Sequence, residues 1–281
     1  MKPHDQSPPH APHPQSPSRP LLAYHDPRFL DGDQARPLRI LAEYIGPHTA
    51  FEQERVRDTI VFFGSARTAP DGPFGRYYED ARSLATMVTR WSLTLSKNGD
   101  QPHCQRFLVC SGGGPGIMEA ANRGAHEAGG NSIGLNIGLP HEQKPNRYIP
   151  RALSFEFHYF FMRKLWFAHL ARALIVFPGG FGTLDELSEI LTLQQTGKID
   201  RKIPVILYGP SFWKEVINFD ALVRHGMIAA DDLALIRFAD TPEEAFTLLK
   251  DLIGDEPEEM TPAFASSTTP PVREDDDAAT G

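Results

Sequence analysis

Two glycine-rich turns hold most of the chemistry that this sequence can support. The first, Ser111-Gly112-Gly113-Gly114-Pro115-Gly116, follows the apolar run Phe107–Cys110; the second, Pro178-Gly179-Gly180-Phe181-Gly182-Thr183, follows Ala173–Phe177. Glycine lets backbone N–H groups approach an anion, and a helix opening after the turn adds the positive end of its dipole. Such turns suit a phosphate, although a tight strand-to-helix turn also needs glycine for structural reasons. Neither turn ends in the Lys-Ser/Thr of a P-loop. The third glycine of a dinucleotide fingerprint is replaced by Ile117 in one and by Asp185 in the other, which weighs against an ATPase or an NAD dehydrogenase. Thr183 and Glu186 lie three apart in the first turn of the helix after the second loop, so they share a face. Thr183 is a hydroxyl donor for a phosphate. Glu186, near the helix N-terminus, is expected to be ionised there by the dipole, although acidic residues are also ordinary caps at that position.

Upstream, the segment from Phe155 to Phe167 is unusually aromatic. Helical spacing puts Tyr159, Phe160, Trp166 and Phe167 on the side of Arg163. A guanidinium among aromatics is either stacked structurally or aimed at an anion, and the aromatics themselves read as core or partner surface before base-binding box. His158 reads as a boundary residue. The histidines show no metal-ligand spacing, and there is neither a G-x-S-x-G elbow nor a cysteine nucleophile pattern. No metal site is therefore expected.

These residues need elements to hold them. Short β-branched or aromatic runs alternate with helical patterns, the signal of a parallel sheet covered by helices. The predicted strands are Thr59–Phe63, Phe107–Cys110, Ser132–Asn136, Leu153–Phe157, Ala173–Phe177, Pro204–Leu207 and a shorter Ile236–Phe238. Predicted helices are Gln34–Arg57, Tyr77–Ser96, Gly116–Ala128, Tyr159–Ala171, Leu184–Gln195, Phe212–Arg224 and Pro242–Leu252. The expected fold is α/β, a Rossmann-like, doubly wound, mostly parallel sheet with helices on both faces. Both glycine turns then fall at the carboxyl edge of the sheet, where such folds bind ligands. The leading helix, with Leu38, Leu41, Ile45 and Phe51, is a cap outside the repeating pattern.

Length and composition agree with one core. The chain has 281 residues, 41% of them hydrophobic, enough for a single domain over residues 33–254. Residues 1–32, opening with a Pro- and His-rich stretch, and the acidic residues 255–281 are expected to be disordered arms. A formal net charge of -8 argues against a nucleic-acid binder, while leaving room for one locally positive pocket that takes a small anion. Cys104 and Cys110, placed on one strand face by their even spacing, are not expected to bridge. With no signal peptide and no apolar stretch of spanning length, the expected compartment is the cytosol, away from membranes.

Taken together, Arg163-Lys164 and Pro178-Gly179-Gly180-Phe181-Gly182-Thr183-Leu184-Asp185-Glu186 resemble the R-K pair and the P-G-G-x-G-T-x-x-E signature of the LOG family. The resemblance runs from about Ile60 to Val216 and includes Phe63-Gly64-Ser65-Ala66-Arg67 and Gly112-Gly113-Gly114-Pro115-Gly116-Ile117-Met118. It implies a Rossmann-like phosphoribohydrolase without a cofactor, acting on cytokinin riboside 5′-monophosphates or AMP as a homodimer or larger homo-oligomer. By position it makes Arg163 and Glu186 the catalytic pair. It places Gly113, Gly114, Glu142, Lys164, Gly179, Gly180, Phe181, Gly182, Thr183, Asp185 and Thr192 at the substrate. Shorter members read M-H-x-R-K where this chain has Phe160-Phe161-Met162-Arg163-Lys164, a change that bears on the base pocket. Cleaving an N-glycosidic bond builds positive charge on the ribose, which an anionic Glu186 would stabilise. Arg163 is expected to hold that carboxylate ionised. Two rivals stand beside this reading: a pyridoxal-phosphate decarboxylase, for which Lys164 is the one lysine near the site, and a carrier that binds a nucleotide or molybdenum cofactor without hydrolysis.

Overall fold

The alternating apolar runs assemble, in a computed structural model, into a seven-stranded parallel sheet. The structure describes residues 21–98, 104–138, 144–199 and 201–254. The chain divides between Ala42 and Glu43 into two compact units.

In the first unit, residues 21–32 include short helical segments where the composition suggests disorder. A 3-10 turn at Ala23–His25 and the short helix α1 (Pro27–Leu30) precede a second 3-10 turn at Asp33–Ala35. Asp26 caps α1 by accepting from the Arg28 amide, and Arg39 donates to the carbonyls of Leu30 and Gly32 at 2.6 and 2.7 Å. One side chain thereby ties the Leu30 carbonyl at the end of α1, a group the helix itself leaves unpaired, to the Gly32 carbonyl, which also accepts from the Ala35 amide. Arg39 belongs to α2 (Arg36–Gln53), which runs on into the second unit.

The second unit holds the sheet. Its strands are β1 (Thr59–Phe63), β2 (Leu108–Ser111), β3 (Ser132–Ile137), β4 (Ser154–Phe157), β5 (Ala171–Val176), β6 (Val205–Tyr208) and β7 (Ile236–Ala239). Their order across the sheet is β4-β3-β2-β1-β5-β6-β7. The chain winds outward from β1 in one direction and from β5 in the other, so the order reverses between these two strands. The helices are α3 (Gly75–Asn98), α4 (Ile117–Glu127), α5 (Phe160–Leu170), α6 (Phe181–Gln195), α7 (Pro210–Val216), α8 (Phe219–Arg224) and α9 (Pro242–Ile253).

Period-two alternation divides the central strands between two cores. Ile60, Phe62, Val109, Ala173 and Ile175 face a cluster with Leu84, Val88, Ala121 and Leu249, drawn from α3, α4 and α9. On the opposite face Phe63 meets Phe167 of α5 with ring centroids 4.8 Å apart. Trp213 of α7, fully buried, donates to the carbonyls of Val176 and Tyr208. The central strands are buried along their whole length, as parallel strands covered on both sides must be.

Two local predictions need correction. Cys104 lies outside β2: Phe107 takes a left-handed φ of 53° and its amide donates to buried Asp58 at 2.5 Å, so the extended run starts only at Leu108. Residues 212–224 form two helices rather than one, because Ile217 is extended and Asn218 caps α8 by accepting from the Ala221 amide.

Candidate active site

The crevice of a doubly wound sheet opens where the strand order reverses, beyond the carboxyl ends of the strands. Here that point lies between β1 and β5, and a cleft of about 790 Å³ opens there. Ser65, in the loop after β1, joins the two glycine turns through its backbone. Its N–H donates to the carbonyl of Pro178 at 3.0 Å, and its carbonyl accepts from Ile117 at the start of α4 at 3.1 Å. Nothing local in the residues 64–67 signals this role, since both partners are distant in sequence.

The second turn lines the cleft from Gly179 through Thr183. Helix α6 begins at Phe181, three residues earlier than the periodicity suggests, so Phe181 and Gly182 supply amides of the first turn that lack intrahelical acceptors. Thr183 is buried against Gly179, where a Cβ would collide with its hydroxyl. Gly179 is therefore required for close approach rather than for an unusual φ.

The first turn behaves differently from the expectation. Gly112 lines the cleft, but Gly113 and Gly114 do not. The N–H of Gly113 donates to Ser111 Oγ at 3.0 Å, and the carbonyls of Gly113 and Gly114 accept from Asn146 Nδ2 at 3.1 and 3.2 Å. Asn146 also donates to Asn122 Oδ1, which accepts from Ser111 Oγ, while Asn122 Nδ2 donates to Ser132 Oγ. The turn is thus pinned from behind by a buried polar network, and the groups of Gly113 that could meet an anion are already engaged. Asn136, nearly buried at the end of β3, lines the cleft and donates to the Phe155 carbonyl at 3.0 Å. Its signal in the sequence was a lone amide closing an apolar run.

Arg163 and Glu186 both line this cleft. Arg163 Nε donates to the Leu135 carbonyl at 2.8 Å, and its guanidinium lies over Phe167, 5.2 Å from the ring centroid. A Cβ on Gly112 would come within 2.5 Å of Arg163 Nη2, so this glycine makes room for the guanidinium. Burial lowers the pKa of Arg163, and Glu186 acts in the opposite direction. Glu186, only 7% exposed, differs from the expectation of a simply ionised carboxylate. Burial raises its pKa to about 7 against the opposing pull of Arg163 and Lys164. Desolvation disfavours the charged form more than the cations favour it.

Three further expected residues, Lys164, Asp185 and Thr192, do not line this cleft. The Lys164 ammonium instead pairs with Asp185 at 2.8 Å and Glu189 at 2.9 Å. Thr192, two turns further along α6, is exposed and borders a separate apolar pocket with Leu187, Leu191 and Ile236. Glu142 lies outside the described residues. The charged residues that line the cleft, among those described, are Arg67, Arg163 and Glu186. Two cations against one carboxylate suit an anionic ligand on a chain of net charge -8. Among the described residues no group of three or more His, Cys, Asp or Glu could hold a metal ion. No described helix is long and apolar enough to cross a membrane.

Residues 118–249 match the family model described as "Possible lysine decarboxylase". The cytokinin riboside 5′-monophosphate phosphoribohydrolase LOG of Oryza sativa subsp. japonica is 32% identical over 153 residues, covering 52% of this chain and 60% of that protein. The enzyme LOG4 of Arabidopsis thaliana, with the same activity in its name, is 30% identical over 173 residues, covering 58% of this chain and 71% of its own. The chain belongs to the LOG family. The match to the rice LOG spans less than two thirds of that relative's length. Among solved structures, the molybdenum cofactor binding protein of Rippkaea orientalis aligns at 21% identity with a TM-score of 0.47, covering 70% of this chain and 98% of that one. Within the LOG-family signature of this chain, Gly179 to Thr183 and Glu186 meet in one cleft, and Lys164 and Asp185 meet each other.

Proposed function

We propose that this cleft hydrolyses the N-glycosidic bond of a purine nucleoside 5′-monophosphate, AMP or an N6-modified cytokinin riboside monophosphate, to free base and ribose 5-phosphate. The observation that carries the reading is the convergence of Arg163, Glu186 and the first-turn amides of α6 on one cleft at the strand-order reversal. The amides of Phe181 and Gly182 and the Thr183 hydroxyl suit the sugar phosphate. Glu186 then faces the anomeric carbon. As the bond from C1′ to the base nitrogen breaks, its electron pair leaves with the base and positive charge spreads over the ribose. The Glu186 carboxylate stabilises that charge and takes a proton from the water that adds to C1′, and the base acquires a proton from solvent. Arg163, held by the Leu135 carbonyl and by Phe167, grips phosphate or ribose oxygens and offsets part of the cost of ionising a buried carboxylate.

The sequence relatives named for phosphoribohydrolase activity support the same chemistry. A pyridoxal-phosphate decarboxylase fits less well, because no lysine lines the cleft among the described residues and Lys164 is held by two carboxylates. The test is incubation with AMP followed by chromatography for free adenine. Glu186→Gln and Arg163→Ala are expected to fold and each to lose roughly 100-fold or more of the adenine release. Near-normal turnover in either variant removes that residue from the mechanism. A protein that binds AMP but releases no adenine is a carrier.

A further inference from the structure

The lysine beside Arg163 has a place in the fold that the signature alone does not suggest. Lys164 sits on α5 with its side chain 18% exposed, and its ammonium reaches Asp185 in the second turn of α6 and Glu189 one turn later. The two contacts bracket Glu186 along α6, and the lysine is the immediate neighbour of Arg163 along α5. Arg163 is already anchored to β3 through Leu135. Among the described residues no side chain of another element donates a comparable hydrogen bond to Glu186, so its position depends on how α6 is held.

We propose that Lys164 is a positioning residue: by bridging Asp185 and Glu189 it locks α5 to the start of α6 and sets the Glu186 carboxylate opposite Arg163. This rests on the hydrolase reading above. A substrate ligand at the same position would need its ammonium free to turn into the cleft, and here it is ion-paired with two carboxylates. The clamp also sets the field at Glu186. The charged groups acting on that carboxylate are Arg163 and Lys164 from α5, which lower its pKa, and Glu189 and Asp185 from α6, which raise it.

The experiment breaks the clamp from both sides. In full-length protein, Lys164→Met and the double variant Asp185→Asn/Glu189→Gln are compared with wild type and with Lys164→Arg, using AMP hydrolysis and its pH profile. Both clamp-breaking proteins are expected to lose roughly 10- to 100-fold in kcat with KM within about threefold, the signature of misplacement rather than lost binding. Lys164→Arg, which keeps the cation, recovers most of the rate. The acidic limb of kcat/KM moves in opposite directions, upward without the lysine and downward without the two carboxylates, by roughly half a pH unit or more. A titration of 13C-labelled glutamate, with Glu186 assigned from Glu186→Gln, reads the same opposed shifts without turnover. Should the wild-type protein release no base from any nucleotide, the hydrolase reading fails, and the labelled carboxyl still decides whether the lysine sets its field. A rise in KM at unchanged kcat in Lys164→Met, with the carboxylate double variant at wild-type activity, would make the lysine a substrate ligand and overturn the proposal. So would a Glu186 titration that neither change moves.

Discussion

Glu186 is the residue on which the chemistry and the energetics of this chain meet. Its pKa, raised by burial from the ordinary carboxylate range to about 7, has consequences for both activity and stability. If the ionised form is the working one, kcat/KM for AMP rises as pH increases through about 7 and is lost below it; a pH profile flat from 5 to 9 would contradict that. For stability the sign runs the other way from a paired carboxylate. Between the unfolded and folded pKa values the native state holds the proton that the unfolded chain has released, so stability falls as pH rises through that window. Glu186→Gln removes this penalty. It is expected to be more stable than wild type at pH 8, by up to roughly 3 kcal/mol, and no more stable than wild type at pH 4. Urea unfolding at the two pH values measures this, and an equal difference at both would show that burial is not what perturbs the group.

At the scale of elements, the first glycine turn works through what stands behind it. Ser111, Asn122, Ser132 and Asn146 form a chain of hydrogen bonds that ends on the backbone of Gly113 and Gly114. Asn122 is fully buried on α4, and its loss leaves buried polar partners unsatisfied. Asn122→Ala is expected to cost about 1–3 kcal/mol, read as a fall of several degrees in Tm. A variant with unchanged Tm would mean that water substitutes for the amide. Helix α2 shows the same logic at longer range. The Glu43 carboxylate accepts from the amides of His158 and Tyr159, and its carbonyl accepts from Trp166 Nε1 at 3.0 Å. The aromatic segment is thereby divided: Trp166 packs against Tyr44 and Phe51 of α2, Phe167 supports Arg163, and Phe160 reaches the cleft.

For the molecule as a whole, an acidic chain presents a cleft whose own charged residues lean positive. An anion that fills it binds the folded state and not the unfolded one, so it raises stability by mass action. Ribose 5-phosphate, the proposed product, is expected to raise Tm progressively with concentration, reaching about 2.7 kcal/mol of added stability at one hundred times its dissociation constant. Free ribose, which lacks the phosphate, should do far less. Equal shifts from both sugars would mean that the glycine turns do not select for phosphate.

Local pattern was enough to determine the architecture and the neighbourhood of the cleft. Buried parallel strands read as apolar runs, glycine turns mark where they give way to helices, and the alternation of the two implies a doubly wound sheet. Thr59–Phe63 lies where its run places it, and Ser132–Ile137 extends the expected Ser132–Asn136 by one residue. Tertiary structure decided which members of the signature share a surface. Gly113 and Gly114 turn to Asn146, Lys164 turns to α6, and Arg163 is aimed by a carbonyl 28 residues away. It also decided how Glu186 titrates. Desolvation and the choice of partner depend on neighbours brought together by folding, and no spacing along the chain encodes the dielectric around a side chain.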